Sequence, residues 1–211
     1  MACALCQIRR PKRSCPGVGG AICSLCCGQE REVSIACPLD CEYLQDARRH
    51  EKPAPPDPAN WPHPDVEVTE RFLAEHEELL FFLGRTLGTA AVEIPGVTDF
   101  DVRAALDALA RTYVTLRSGV YYESRPDNAL ASRIYEAVQE GLKEFRRTEQ
   151  ERTGLPKTRD ADVLGILVFL SRLELDRNNG RPKGRVFIGM LKGFYAELAG
   201  AADKASSVVL P

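Results

Sequence analysis

The sequence predicts a mainly α-helical protein that begins with a small cysteine-rich module. All eight cysteines of the 211-residue chain fall between Cys3 and Cys41, and none follows. Beyond residue 65, apolar residues recur at steps of three and four, which is the period of an amphipathic helix. No segment of that region alternates convincingly as a strand would. We therefore expect a cysteine-rich head followed by an all-helical domain of about five helices.

The composition is that of an ordinary globular protein with one or two domains. Hydrophobic residues make up 44% of the chain and charged residues 27%, so the protein can bury a core. The formal net charge is −2, which gives no whole-chain preference for nucleic acid or an anionic membrane. The N-terminus lacks the order of a secretory signal, and no run of about 18 apolar residues could span a bilayer. We expect a cytoplasmic protein with no membrane association.

The cysteines of the module have the spacing of metal ligands. Two residues separate Cys3 from Cys6 and also Cys23 from Cys26, and sixteen residues separate the two pairs. This spacing is typical of a tetrahedral zinc site built from two C-x2-C pairs. In a reducing compartment, thiols hold metal more readily than they form disulfides. Four disulfide bonds are the alternative for an exported protein.

Eight thiols satisfy two zinc ions with four ligands each. The preferred assignment is interleaved, so that the chain alternates between two metals and is cross-braced by them. The first site consists of Cys3, Cys6, Cys23 and Cys26, and the second consists of Cys15, Cys27, Cys37 and Cys41. Cys26 and Cys27 could be exchanged between the sites, because adjacent side chains point in different directions. His50 could replace one of the cysteine ligands.

The opening C-x2-C pair and the segment ICSLC at residues 22–26 resemble the cross-braced zinc fingers of the B-box, HIT and MYND families. Those families commonly end with His and Cys ligands, whereas this module ends with Cys37 and Cys41. The cysteine pattern followed by a helical region is also similar to bacterial zinc-finger proteins. Most members of these families are adaptors. The resemblance, which covers residues 1–52, therefore implies a zinc-binding protein of the interaction type.

Proline content divides the chain into four parts. The module occupies residues 1–52, and residues 53–64 contain six prolines, which predicts a semi-rigid linker. An all-α domain follows at residues 65–200, and residues 201–211 are predicted to form a loose tail. Trp61, the only tryptophan, lies in the linker. It either packs on the helical domain or stays exposed as an anchor for a partner.

Periodicity and capping residues place the helices. A short helix is expected within residues 38–50 of the module. In the helical domain, Gly88 is expected to end the first helix, and Thr98 with Asp101 predicts a capping box at the start of the second. Residues 163–170 are apolar nearly all round, which predicts a buried helix. The five helices of this domain are expected at residues 66–87, 98–116, 127–152, 160–175 and 186–198.

The common catalytic motifs are missing from the sequence. The chain has no phosphate-binding loop, no HExxH and no GxSxG sequence, and it has three histidines in all. We therefore predict a protein without enzymatic activity, in which two zinc ions hold a small surface rigid for an unidentified protein partner. Thiol oxidation with release of zinc is a minor alternative.

Nucleic-acid binding is the main alternative function. The module carries a basic run formed by Arg9, Arg10, Lys12 and Arg13. The charge of the whole module argues against this alternative, because residues 1–60 contain eight Lys or Arg and seven Asp or Glu. Two zinc ions with eight thiolates contribute −4 and change the resulting +1 to −3. No aromatic platform for base stacking accompanies the basic run.

Overall fold

The computed structural model describes residues 2–51, 60–119 and 122–206. Most of the predicted proline-rich linker and the last five residues of the predicted tail lie outside these ranges. Within the described ranges the protein is mainly α-helical, as predicted, with eight helices and one two-stranded sheet. None of the helices in this part of the chain is both long and apolar enough to cross a membrane.

The cysteine-rich module contains a hairpin and two short helices. Strands β1 (Arg13–Cys15) and β2 (Gly20–Ile22) pair antiparallel. Gly19, with φ +68°, supplies the left-handed backbone that the turn between them requires. Helix α1 (Ser24–Glu30) follows the hairpin directly, and helix α2 (Glu42–His50) closes the module within the segment where a helix is predicted. The hairpin and α1 are too short to leave a periodic signal in the sequence.

Six further helices form the rest of the described structure. They are α3 (Glu70–Glu75), α4 (Glu77–Glu93), α5 (Asp99–Arg117), α6 (Ala129–Thr153), α7 (Asp160–Arg177) and α8 (Val186–Ser206). The last four match the predicted second to fifth helices, whereas the first predicted helix is divided into α3 and α4. Helix α8 also extends through the first six residues of the predicted tail.

A break at His76 separates α3 from α4. Its Nδ1 lies 2.9 Å from the carbonyl oxygen of Phe72, and its Nε2 lies 3.3 Å from Oδ1 of Asp162 at the start of α7. The ring of Phe72 covers Gly165 of α7, where an added Cβ would lie 2.4 Å from the ring. These contacts hold α3 against α7. The break between α3 and α4 is therefore stabilised by Asp162 and Gly165, which lie far along the chain.

Gly88 does not end a helix, contrary to the prediction. Helix α4 continues to Glu93, and Gly88 is buried against α8. A Cβ added at Gly88 would lie 3.2 Å from Cβ of Leu191. Because glycine has no side chain, the backbones of α4 and α8 can approach closely here. The glycine therefore serves helix packing and not helix termination.

The helical core surrounds α7. As predicted, α7 is buried nearly all round, because it packs against α5 and also contacts α4 and α8. The predicted capping box of Thr98 and Asp101 is present at the start of α5. The carboxylate of Asp99, in the same turn, accepts hydrogen bonds from the backbone N–H groups of residues 186–188. It therefore caps α8 from a neighbouring helix.

Trp61 contacts the helical domain, as in the first of its two predicted roles, and it is also exposed, as in the second. The guanidinium carbon of Arg172 lies 5.4 Å from the centre of its ring, and 37% of the residue stays exposed. Arg172 also donates hydrogen bonds to the carbonyl oxygens of His63 at 2.7 Å and Val66 at 2.9 Å. Helix α7 thus holds the segment that leads into α3.

The module contacts the helical domain through Glu32, which is fully buried. Its Oε1 accepts a hydrogen bond from Arg48 of α2 at 2.6 Å, and its Oε2 accepts one from Asn179 at 2.9 Å. The backbone N–H of Lys183 donates to the Glu32 carbonyl oxygen at 2.8 Å, and that of Arg185 donates to the carboxylate at 3.2 Å. Groups from both parts of the chain therefore meet at one residue.

Candidate metal centre

The hairpin and α1 bring the two C-x2-C pairs together. The backbone N–H of Cys23 donates to Sγ of Cys3 at 3.2 Å, and that of Cys26 donates to Sγ of Cys23 at 3.5 Å. The four sulfur atoms of Cys3, Cys6, Cys23 and Cys26 lie within 4.8 Å of one another. This group is the first of the two predicted ligand sets. With zinc–sulfur bonds of about 2.3 Å, tetrahedral ligands lie about 3.8 Å apart, so the group fits a zinc ion.

The thiols of this group differ in how readily they ionise. The backbone N–H of Cys6 is the main cause that lowers the pKa of the Cys3 thiol to about 6, and backbone N–H groups of residues 8 and 9 lower the pKa of Cys6. The neighbouring Cys23 thiol, together with burial, raises the pKa of Cys26 to about 12. Four sulfurs this close ionise together when a cation balances their charge, and zinc would supply that charge.

The four remaining cysteines surround a second space. Cys15, Cys27, Cys37 and Cys41 are among the residues that line one small cavity of about 10 Å³. Burial raises the pKa of the Cys37 thiol. Among the described residues, only the first set has all four sulfurs within 4.8 Å of one another. The sulfurs of the second set are therefore spaced more widely.

The structure resolves the choice between Cys26 and Cys27 that the sequence leaves open. Cys26 belongs to the first group, and Cys27 lines the cavity of the second. His50 joins neither group, because it lies at the exposed end of α2 with Nδ1 2.8 Å from the carbonyl oxygen of Asp46. All eight cysteines are free of disulfide bonds.

Two residues of the predicted basic run are directed at cysteine sulfurs. Arg13 donates to Sγ of Cys27 at 3.2 Å, and its guanidinium lies 4.6 Å from the ring centre of Tyr43. The thiol of Cys23 raises the pKa of the Arg9 guanidinium, mainly through a side-chain hydrogen bond. Arg9, Arg10 and Lys12 are all exposed, whereas Arg13 is partly buried. The basic run is therefore divided between the sulfur clusters and solvent.

Arg31 is a site residue that sequence reasoning misses. Its Nη2 donates to Sγ of Cys27 at 3.9 Å, so two guanidinium groups share one sulfur. The signal that could have found it is the spacing of four residues from Cys27, which places both on one face of a helix. Arg31 directly follows α1, so the two residues do lie one turn apart.

Comparison with protein-family models, with curated proteins and with solved structures finds no match to this chain.

Proposed function

We propose that this protein is a non-enzymatic interaction protein of the cytoplasm, with an N-terminal module held rigid by two structural zinc ions. The observation that carries the proposal is the first group of cysteines, whose four sulfurs lie within 4.8 Å of one another. A coordination sphere closed by four cysteines is typical of structural zinc, whereas catalytic zinc keeps one position open. The adaptor role implied by the resemblance to cross-braced zinc fingers agrees with this chemistry.

The second zinc ion is supported by the surroundings of Cys27. Zinc bound to four thiolates carries a net charge of −2, which needs nearby positive charge when it is partly buried. Arg13 and Arg31 both donate to Sγ of Cys27, and this sulfur lines the cavity that it shares with Cys15, Cys37 and Cys41. The guanidinium groups would orient and neutralise this ligand, as outer partners of metal ligands commonly do.

The small core of the module gives the metals a structural task. Apart from cysteines, the buried apolar residues of its core are Ile22, Ile35 and Leu44. A module of about 50 residues with so small a core is too small to be stable without additional cross-links. Zinc binding would supply the missing folding free energy.

Metal content tests the zinc part of the proposal. Native mass spectrometry of the full chain should detect two zinc ions per molecule. Cys6→Ser and Cys41→Ser should each lose one ion, and Ser14→Ala, an exposed neighbour of Cys15, should keep both. A wild-type chain whose module is folded without metal contradicts the proposal.

Affinity capture tests the interaction part. The full chain should retain a protein from a cell lysate, and a chain with both Cys6→Ser and Cys41→Ser should lose it. Repeated failure to capture any protein with zinc-loaded wild type would contradict the adaptor role without bearing on the zinc sites.

Nucleic-acid binding is the second candidate, favoured by the exposure of Arg10 and Lys12. It predicts that the chain binds labelled DNA or RNA with an affinity that falls steeply as salt rises, and that Arg10→Ala and Lys12→Ala weaken this binding. Because Arg13 is held against the sulfur of Cys27, the exposed side chains of the run would carry most of the effect. No binding at low salt would eliminate this candidate.

A further inference from the structure

Three apolar side chains are exposed around the first group of cysteines. Ile8 is 84% exposed, Leu25 is 45% exposed and Leu5 is 38% exposed. Each lies within two residues of a cysteine of the group, and none belongs to the buried core of the module. We call these three residues the knuckle surface. Since none of the three packs in the buried core of the module, core formation does not explain why they are apolar.

Two of the three residues occupy equivalent positions. Both C-x2-C pairs have the sequence C-x-L-C, with Leu5 before Cys6 and Leu25 before Cys26. The cysteines of each pair turn inward toward the common metal position, and the leucine between them is exposed. The two pairs are held side by side, because the backbone N–H of Ala4 donates to the carbonyl oxygen of Ala21 at 2.9 Å. One metal ion would therefore fix two leucines on the same end of the module.

The surroundings of the knuckle surface are basic. Residues 2–29 contain four Lys or Arg and no Asp or Glu, and three of these cations, Arg9, Arg10 and Lys12, are exposed. Arg13 is paired with the sulfur of Cys27 in the second group. The three exposed cations contribute +3 and one zinc ion with four thiolates contributes −2, so this end of the module keeps a charge of about +1. Apolar side chains surrounded by positive charge complement a partner that combines apolar and acidic side chains.

The same residues fit nucleic acid poorly. Residues 2–29 contain no Phe, Trp or Tyr, so bases have no ring to stack on. A surface that binds phosphates is polar and rich in charged groups, whereas Ile8 would meet the nucleic acid as an exposed hydrocarbon. The apolar centre of the surface therefore favours a protein partner.

We infer that the knuckle surface docks an acidic protein segment that carries apolar side chains, which bind Leu5, Ile8 and Leu25 while its carboxylates meet Arg9, Arg10 and Lys12. This inference rests on the proposed function and gives it a surface and a class of partner. The first zinc ion would hold the surface in shape, because it fixes both C-x-L-C turns.

A peptide-display selection on the full zinc-loaded chain tests the inference, with a random 16-residue peptide library as the probe. We expect enriched peptides to be rich in Asp and Glu and to contain Leu, Ile, Phe or Met. Their affinity should fall at least tenfold for the double variant Ile8→Ser, Leu25→Ser. Leu155→Ser is the matched control, since Leu155 is 72% exposed in the loop after α6 and should leave the affinity unchanged.

Zinc content separates failure of the inference from failure of the proposed function. The double variant changes exposed side chains and should keep two zinc ions, as should the control. Three outcomes with a wild type that binds two zinc ions would show that the inference is wrong while the zinc proposal stands. The selection could yield no peptides, it could yield peptides without acidic residues, or the selected peptides could bind the double variant as tightly as the wild type. Oligonucleotide binding that depends on Arg10 and Lys12 but not on Ile8 would also overturn it. A wild type without zinc would overturn the proposed function itself.

Discussion

At the scale of single residues, Arg13 shows how the module uses its positive charge. It contacts the sulfur of Cys27 with one nitrogen and lies over the ring of Tyr43, so its guanidinium is held in place from two sides. Lys12, next to it in the sequence, is exposed. Two adjacent cations therefore have different surroundings, which the sequence alone could not distinguish.

Replacing Arg13 should weaken metal binding at the second group of cysteines. Arg13→Gln removes the charge next to Cys27 and leaves Arg31 as the only guanidinium that contacts this sulfur. Loss of an outer partner of a metal ligand commonly lowers affinity about 10- to 100-fold, so we expect one of two zinc ions to transfer faster to a chromophoric chelator. Lys12→Gln is the control and should release both ions at the wild-type rate. Equal release rates for the two variants would show that Arg13 does not support a metal site.

At the scale of elements, α8 begins on a carboxylate that belongs to α5. Asp99 is fully buried and accepts from three backbone N–H groups at the start of α8, at 2.7, 3.1 and 3.1 Å. Burial nevertheless raises the pKa of Asp99 to about 6. The raised pKa means that the folded protein holds this proton more tightly than the unfolded chain, in which an aspartate has a pKa of about 3.9.

The stability contributed by Asp99 should therefore fall as pH rises from about 4 to above 6. Asp99→Asn keeps an oxygen acceptor but cannot ionise, so it should lack this dependence. In urea unfolding followed by helical circular dichroism, the wild type should lose about 1 to 3 kcal/mol relative to the variant between pH 4 and pH 7. Both chains carry the same cysteine module, so effects of acid on that module cancel. A stability difference that stays constant with pH contradicts the prediction.

The elements that the sequence predicts well are those set by local residues. Thr98 and Asp101 are three residues apart and form the predicted capping box, and the apolar residues 163–170 form a buried helix. The break at His76 is different, because it depends on Asp162, which is 86 positions along the chain. Gly88 is predicted to end a helix, and only the position of α8 shows that it serves helix packing instead. Distant contacts of this kind leave no pattern in the sequence.

The two groups of cysteines also differ in how far the sequence predicts them. The C-x2-C spacing predicts the first group, because two pairs of closely spaced ligands can be recognised without knowing the fold. The second group contains one closely spaced pair, Cys37 and Cys41, and two single cysteines. The adjacent Cys26 and Cys27 give no local sign of which of them belongs to it. The hairpin and α1, neither of which is evident from the sequence, separate them.

At the scale of the whole molecule, Glu32 joins the two parts of the chain. Its backbone has φ +55°, a left-handed conformation that is costly for a residue with a side chain, so the surrounding hydrogen bonds must hold it there. Arg48 binds it from the module, and residues 179–185 bind it from the loop between α7 and α8. The module and the helices should therefore unfold together.

Glu32→Gln should uncouple the two parts. The change leaves Arg48, whose side chain is 19% exposed, without its buried carboxylate partner. Breaking a fully buried pair typically costs about 3 to 5 kcal/mol, and we expect a smaller cost here because Arg48 keeps some contact with water. We expect a lower melting temperature and two separate transitions, one for the module and one for the helices. Glu51→Gln is the matched control, because Glu51 pairs with Arg181 at the same contact but is partly exposed, and its loss should cost less than about 1 kcal/mol. Similar, small effects of both changes would show that Glu32 does not join the two parts.

The position of Glu32 also determines when its partners become available during synthesis. Arg48 is 16 residues away, whereas Asn179 is 147 residues away. At about 5 to 20 residues per second, the ribosome needs on the order of ten seconds to add the second partner after the first. During that interval all residues of the cysteine module have already been synthesised. The module can therefore take up metal and fold before the loop between α7 and α8, which it contacts through Glu32, exists. Until then the Glu32 carboxylate can pair with Arg48 alone, and it gains its remaining partners when the loop between α7 and α8 has been synthesised.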